Sequence, residues 1–82
     1  MDTLDTLRKK IDRIDEDLIS LLTERMKTAI EIGVLKSTHD IAILDKSREA
    51  VVFDRLKPFE YSESLHAIYT TILSESKKLQ GK

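Results

Sequence analysis

The chain has 82 residues, with 14 Lys and Arg against 15 Asp and Glu, and a formal net charge of −1. This near-balance excludes a protein that binds nucleic acid or acidic membranes through bulk positive charge. The absence of cysteine excludes disulfides, thiolate catalysis and cysteine-ligated zinc. The two histidines, His39 and His66, lie far apart in the sequence, so we expect no histidine-based metal site.

No stretch approaches the ~20 apolar residues that a membrane-spanning helix needs. Met1 is followed by Asp2 rather than by a basic and then apolar signal segment, so we expect a cytoplasmic protein. A lone chain of this length buries only ~60–65% of its unfolded surface. Because it has no disulfide or metal to reinforce so small a core, we expect it to oligomerise.

The first predicted helix covers residues 3–36, with Asp2 or Thr3 as its cap. Apolar residues recur along it in alternating steps of three and four, a heptad pattern sustained over more than four heptads. The positions of this seam are Leu4, Leu7, Ile11, Ile14, Leu18, Leu21, Arg25, Thr28, Ile32 and Leu35. Gly33 costs ~1 kcal/mol relative to alanine inside a helix, which predicts that another part of the protein approaches closely there.

Two shorter helices are predicted after a loop at residues 37–43. One covers residues 44–57 and is ended by Pro58, and the other covers residues 63–79 with Ser62 as its cap. Glycine and proline are too sparse for the turns of a sheet protein. We therefore predict an all-α fold with three helices in a single domain, 1–82.

The length of the first helix predicts a second chain. Thirty-four residues at 1.5 Å each span roughly 50 Å, whereas a compact globule of this size has a radius of gyration of ~12 Å. The two shorter helices cannot cover the whole seam. An intertwined helical homodimer is the simplest arrangement that buries it.

Polar residues interrupt the apolar stripe of every predicted helix. Taken alone, Arg25 in the seam is explained by register specification or by a stem whose charged head reaches solvent. Ser76 and Gln80, taken alone, read as a fraying helix end. The remaining polar interruptions, which taken alone read as an N-terminal capping turn, are Asp45, Arg48 and Glu49.

Considered together, these residues predict a binding site. Arg8, Arg25, Lys36 and Arg48 would bring four cations to an otherwise apolar interior, which favours a small ligand with more than one carboxylate or phosphate. Carboxylates nearby, Glu49 above all and also Asp45, would accept from a ligand hydroxyl. Since no nucleophile is paired with a base, an enzyme of this kind would act by positioning and fixed electrostatics.

Four short motifs follow one another on the predicted helices. They are Leu7-Arg8-x-x-Ile11-Asp12-x-Ile14-Asp15, then Leu21-Leu22-x-x-Arg25 with Gly33-x-x-Lys36, then Asp45-x-x-Arg48-Glu49, and last Ser76-x-x-x-Gln80. In this order and at this spacing, the sequence resembles the all-helical chorismate mutases over essentially its whole length. Each motif alone would be weak.

The resemblance implies an intertwined dimer with two equivalent active sites. It implies the rearrangement of chorismate to prephenate, a step toward phenylalanine and tyrosine, with no cofactor and no metal. By matched position, Arg25 would bind one carboxylate with help from Ser76. Arg8 of the partner subunit would also hold a carboxylate, and Arg48 would contribute to the binding of that anion.

The resemblance also assigns the groups near the reacting bond. Lys36 and Gln80 would hydrogen-bond the ether oxygen, and Glu49 would accept from the ring hydroxyl with Asp45 nearby. The same residue types would serve an isochorismate-pyruvate lyase of the same fold. A helical dimerisation module without catalysis is the alternative from another class, and the chain could be a complete enzyme or the mutase part of a bifunctional protein.

Overall fold

The structure, a computed structural model, describes residues 3–81. Within this range the chain forms three α-helices, α1 (Thr3–Thr38), α2 (Lys46–Leu56) and α3 (Ser62–Gln80), and no strand. The predicted all-α fold with one very long helix is confirmed. The cap predicted at Asp2 lies outside the described residues, and Thr3 is the first described residue of α1.

The long helix α1 runs two residues beyond its predicted end at Lys36. It ends where Asp40 adopts a left-handed backbone with φ 54°. The amide of Ile41 then donates to the carbonyl of Lys36 at 2.8 Å, and the amide of Asp40 donates to that of Ser37 at 3.4 Å. This pair of bonds is a Schellman motif, which satisfies the last carbonyls of a helix.

The second helix begins later than predicted because Asp45 is its cap and lies outside it. Asp45 is extended, at φ −129° and ψ 92°. Its Oδ1 accepts from the Arg48 amide at 3.0 Å and from the Ser47 hydroxyl at 2.8 Å. The helix ends at Leu56, and Pro58 follows shortly after it. A proline has no amide hydrogen to donate and therefore cannot continue the helix.

The cap predicted for the third helix is wrong. Ser62 is the first residue inside α3, and the cap position is Tyr61, whose φ of 62° is left-handed and whose side chain makes no capping hydrogen bond. The Tyr61 carbonyl accepts from the Leu65 amide at 2.9 Å, which closes the first turn. At its other end α3 extends through Gln80, one residue further than predicted.

Packing is confined to one end of the molecule, where α3 lies against both α1 and α2. The buried residues all come from this region: Ala29 and Gly33 of α1, Val52 and Leu56 of α2, and Ser76 of α3. Small residues on α1 allow α3 to approach closely. The core of the chain is therefore small and sits beside the C-terminal half of α1.

The N-terminal half of α1 projects away from this core. Every described residue from 3 to 21 is exposed, and the described chain measures 59 × 25 × 14 Å. The seam residues Leu4, Leu7, Ile11 and Ile14 are each more than 50% exposed. None of the three helices, over the residues described, combines the length and apolar character needed to cross a bilayer.

Candidate active site

A cavity of about 360 Å³ opens among the three helices beside the C-terminal half of α1. The apolar part of its wall is formed by Ala29, Ile32, Ile43, Val52 and Leu73. The polar part is formed by Arg25, Thr28, Lys36, Asp45, Arg48, Glu49, Ser76, Lys77 and Gln80. Seven of the eight residues singled out from the sequence thus lie around one cavity, and Arg8 does not.

Arg25 crosses from α1 to α3 and is held there by Ser76. Its Nη1 donates to the Ser76 hydroxyl oxygen at 2.5 Å, and the hydroxyl in turn donates to the Ile72 carbonyl at 2.8 Å. A hydroxyl has one proton, so donation to Ile72 leaves its lone pairs for the guanidinium. Ser76 is 6% exposed, so the hydrogen bond that joins Arg25 of α1 to α3 is shielded from solvent on the serine side.

Lys36 lies at the rim where α1 meets the loop. Its Nζ donates to the carbonyl of Ile43 at 2.9 Å. An ammonium has three donors, so two remain for a ligand in the cavity. The bond to Ile43 also ties the loop after α1 to the site.

Asp45 combines two functions at the first turn of α2. It caps the helix, and it lines the cavity. Donation by the Arg48 amide, and then by the Ser47 hydroxyl, lowers the pKa of Asp45 below its ordinary value of 3.8, because hydrogen bonds to the charged form favour that form. Asp45 is therefore a fixed negative charge at neutral pH.

Glu49 follows one turn after Asp45 and is joined to α3 by an ion pair. The Nζ of Lys77 lies 3.1 Å from its Oε2. Lys77 was not singled out from the sequence. A helical spacing could have found it, because Leu73, Ser76, Lys77 and Gln80 recur at the spacing of one helix face.

Gln80 enters the cavity from the last turn of α3. Its Oε1 is buried and has no hydrogen-bond partner among the described residues. Its backbone lies directly on Gly33, so that a Cβ on the glycine would stand 2.6 Å from the Gln80 Cα. The prediction that Gly33 marks a close approach is confirmed.

Arg8 is too far away to reach this cavity in its own chain. It precedes Arg25 by four to five turns of α1, about 25 Å along the axis. It lies on the exposed half of the helix. Whatever Arg8 contacts, it is not the cavity beside its own α3.

The charges around the cavity are unequal. Four cations (Arg25, Lys36, Arg48 and Lys77) face two carboxylates, Asp45 and Glu49, which leaves a formal charge of +2. A partly enclosed pocket with apolar walls strengthens such a field relative to open water. The arrangement suits a small dianion that carries a hydroxyl.

Comparison with known proteins identifies the family. The model of chorismate mutase type II matches residues 7–81. The chain belongs to the chorismate mutase type II family. The resemblance drawn from the four sequence motifs is confirmed.

Several relatives in this family are similar over much of the chain. A bifunctional chorismate mutase/prephenate dehydratase of Aquifex aeolicus is 40% identical over the whole chain, which spans 25% of that protein. A chorismate mutase of Methanocaldococcus jannaschii is 35% identical over 70% of the chain, with 58% of its own length covered. The chain therefore spans from a quarter to somewhat more than half of these two relatives.

A solved structure is similar over nearly the full length. A conserved hypothetical protein from Pyrococcus furiosus superimposes with a TM-score of 0.85 at 38% identity. The similarity covers 98% of this chain and 97% of that one. The three-helix arrangement is thus shared with a solved protein of nearly equal length.

Proposed function

We propose that this chain is a chorismate mutase, an isomerase that converts chorismate to prephenate in aromatic amino acid biosynthesis. The observation that carries the proposal is the cavity of formal charge +2, assembled from three helices in a chain of this family. Chorismate carries two carboxylates and a ring hydroxyl, which matches that charge and the carboxylates beside it.

The reaction is an intramolecular Claisen rearrangement. The ether C–O bond of chorismate breaks while a new C–C bond forms between the enolpyruvyl group and the ring, and no atom enters or leaves. No proton, redox equivalent or cofactor is required. Catalysis therefore consists of holding the reactive conformer and stabilising the charge that develops on the ether oxygen.

The two carboxylates of the substrate are the groups by which its conformation would be restrained. Arg25, oriented by Ser76, would bind one carboxylate through the guanidinium N–H groups that the serine does not engage. Arg48, at the start of α2, would bind the anion from the opposite wall. Two fixed anchors on a flexible substrate remove the rotational freedom that opposes a chair-like geometry.

The donors at the ether oxygen provide the transition-state stabilisation. Lys36 keeps two ammonium donors after its bond to Ile43, and Gln80 supplies a neutral amide donor. Negative charge grows on the ether oxygen as its bond breaks. These hydrogen bonds therefore strengthen between the ground state and the transition state, which raises kcat rather than only lowering KM.

The substrate hydroxyl would lie toward α2. The Glu49 carboxylate would accept a hydrogen bond from this hydroxyl. Asp45 would hold the first turn of α2, and with it Glu49 and Arg48, at the correct height. The orientation of the ring then follows from both ends of the molecule.

We further propose that the enzyme is an intertwined homodimer in which Arg8 of the partner subunit completes each site. Two observations support this. The seam residues in the N-terminal half of α1 are exposed, and Arg8 lies about 25 Å along the α1 axis from Arg25 of its own cavity. A second α1 placed on the seam would bury it and could carry its arginine to the site.

To test the proposal, the purified chain is incubated with chorismate and, separately, with isochorismate, and the products are identified by chromatography. We expect prephenate from chorismate, and loss of that activity in Lys36→Ala. Release of pyruvate from isochorismate without chorismate turnover would replace the mutase by a lyase. If neither substrate is turned over, the proposed enzyme is wrong and a dimerisation module without catalysis becomes the better description of the chain. The cytoplasmic location stays a prediction.

A further inference from the structure

The ion pair between Lys77 and Glu49 differs from two ion pairs on the surface of the described helices. Lys57 with Asp54, and Lys78 with Glu75, each join residues three apart on the chain, with all four side chains at least 47% exposed. Pairs of this kind contribute little to stability. Lys77 instead joins α3 to α2, and the Glu49 side chain is only 26% exposed.

The pair leaves one carboxylate oxygen available. Lys77 lies 3.1 Å from Oε2 of Glu49, so Oε1 remains to accept another hydrogen bond. A glutamate without such a partner samples several rotamers, and ordering it on substrate binding costs free energy. Lys77 therefore presents an acceptor that is already oriented.

The same lysine also sets the charge of the cavity. Without it, three cations would face the carboxylates of Asp45 and Glu49, and the formal charge would fall from +2 to +1. A dianion would then meet a weaker field at every stage of the reaction. The loss should appear in KM, whereas the loss of an oriented acceptor should appear in kcat.

We propose that Lys77 is a positioning residue for the rearrangement, which orients the Glu49 carboxylate toward the substrate hydroxyl and adds the fourth cation of the cavity. This inference rests on the proposed mutase function. It assigns Lys77 two separable effects, one exerted through Glu49 on kcat and one exerted through charge on KM.

The first experiment measures kcat and KM for chorismate in Lys77→Met, Lys77→Arg and the matched control Lys78→Met. Methionine keeps the stem and removes the charge. We expect Lys77→Met to lose about tenfold in kcat/KM, the lower end of the range for one hydrogen bond to a charged group. Lys77→Arg should recover most of that loss, and Lys78→Met should equal the wild type because Lys78 pairs outward with Glu75.

The second experiment repeats Lys77→Met in a Glu49→Gln background, as a double-mutant cycle. We expect the effect of Lys77→Met on kcat to disappear, because no carboxylate remains to be oriented, while its effect on KM persists. Thermal unfolding of each variant checks that the fold is intact. A merely structural lysine would lower the melting temperature and reduce kcat equally in both backgrounds.

Three outcomes overturn the inference. They are a Lys77→Met enzyme with wild-type kcat, an equal kcat loss with and without Glu49, and an equal loss in Lys78→Met. If the wild-type chain itself fails to turn over chorismate, the proposed function and the inference fail together. If the wild type is active and Lys77→Met is unaffected, only the inference fails.

Discussion

Gly33 on α1 lies so close to Gln80 on α3 that a Cβ built on the glycine would be 2.5 Å from the Gln80 carbonyl oxygen and 2.6 Å from its Cα. Both contacts are with backbone, which cannot rotate away as a side chain could. The glycine therefore sets the distance between the two helices at the point where Gln80 enters the cavity.

Gly33→Ala should move the last turn of α3 and with it the Gln80 amide. Overpacking at such a contact costs typically about 1–3 kcal/mol, so we expect a lower melting temperature and a lower kcat. Gly81→Ala is the matched control, because its Cβ would meet the Ile43 side chain at 3.6 Å and the Lys77 and Lys78 carbonyl oxygens at 3.7 Å, which are ordinary van der Waals distances. A Gly33→Ala enzyme with wild-type kcat and melting temperature would contradict the assignment.

Lys36→Ala should remove the charged donor at the ether oxygen. Loss of one such donor costs about 10²–10³ in kcat. The Ile43 carbonyl that Lys36 contacts belongs to an exposed residue and can bind water instead, so the fold should persist. Chorismate turnover and circular dichroism measure the two effects. Lys27→Ala, an exposed change on the same helix, serves as the control, and wild-type turnover in Lys36→Ala would rule out the mechanism.

Arg8→Ala and Arg25→Ala should each be nearly inactive as separate dimers. If Arg8 acts across the dimer, mixing the two variants restores one complete site in every mixed dimer. With random exchange of subunits, about a quarter of wild-type activity should return. Refolding the two variants together and separately measures this. The absence of any recovery in the mixture, with mixed dimers present, would show that Arg8 does not complete the site of the other subunit.

Asp45 makes the stability of the chain depend on pH. Its pKa is lowered in the folded state by the Arg48 amide and the Ser47 hydroxyl, so its stabilising effect is full above the ordinary value of 3.8. That effect is lost as the pH falls through the lowered folded pKa.

The comparison with Asp45→Asn isolates this effect. Asparagine keeps the capping oxygen but has no charge to lose. Between about pH 6 and about pH 3, we expect the melting temperature of the wild type to fall relative to that of the asparagine variant. A constant difference across this range would mean that the Asp45 carboxylate is not held by the helix N-terminus in solution.

The sequence predicted the helices well because helical periodicity and capping are local. The pattern of α1 and the stop before Pro58 both depend on residues a few positions apart. The errors also have local causes. The left-handed Asp40 and Tyr61 set two helix ends by backbone conformation, which side-chain pattern alone did not reveal.

The residues of the candidate site were predictable in kind but not in arrangement. Polar residues in an apolar stripe identified the members of the cavity wall, because burial of such groups needs a ligand or a partner. The sequence did not identify Lys77 as a site residue because a lysine is common on the surface of a helix. Its significance depends on the position of Glu49, which lies on another helix.

The sequence by itself determined a nearly neutral, cysteine-free, three-helix chain whose first helix is too long for its own core. It also determined the kinds of side chain available to the site, which are cations, carboxylates and neutral polar groups among apolar ones. Only the tertiary structure decided which of these groups meet: Lys77 with Glu49, Arg25 with Ser76, Lys36 with the Ile43 carbonyl. Such pairings depend on the relative rotation and height of packed helices, and heptad spacing does not specify either.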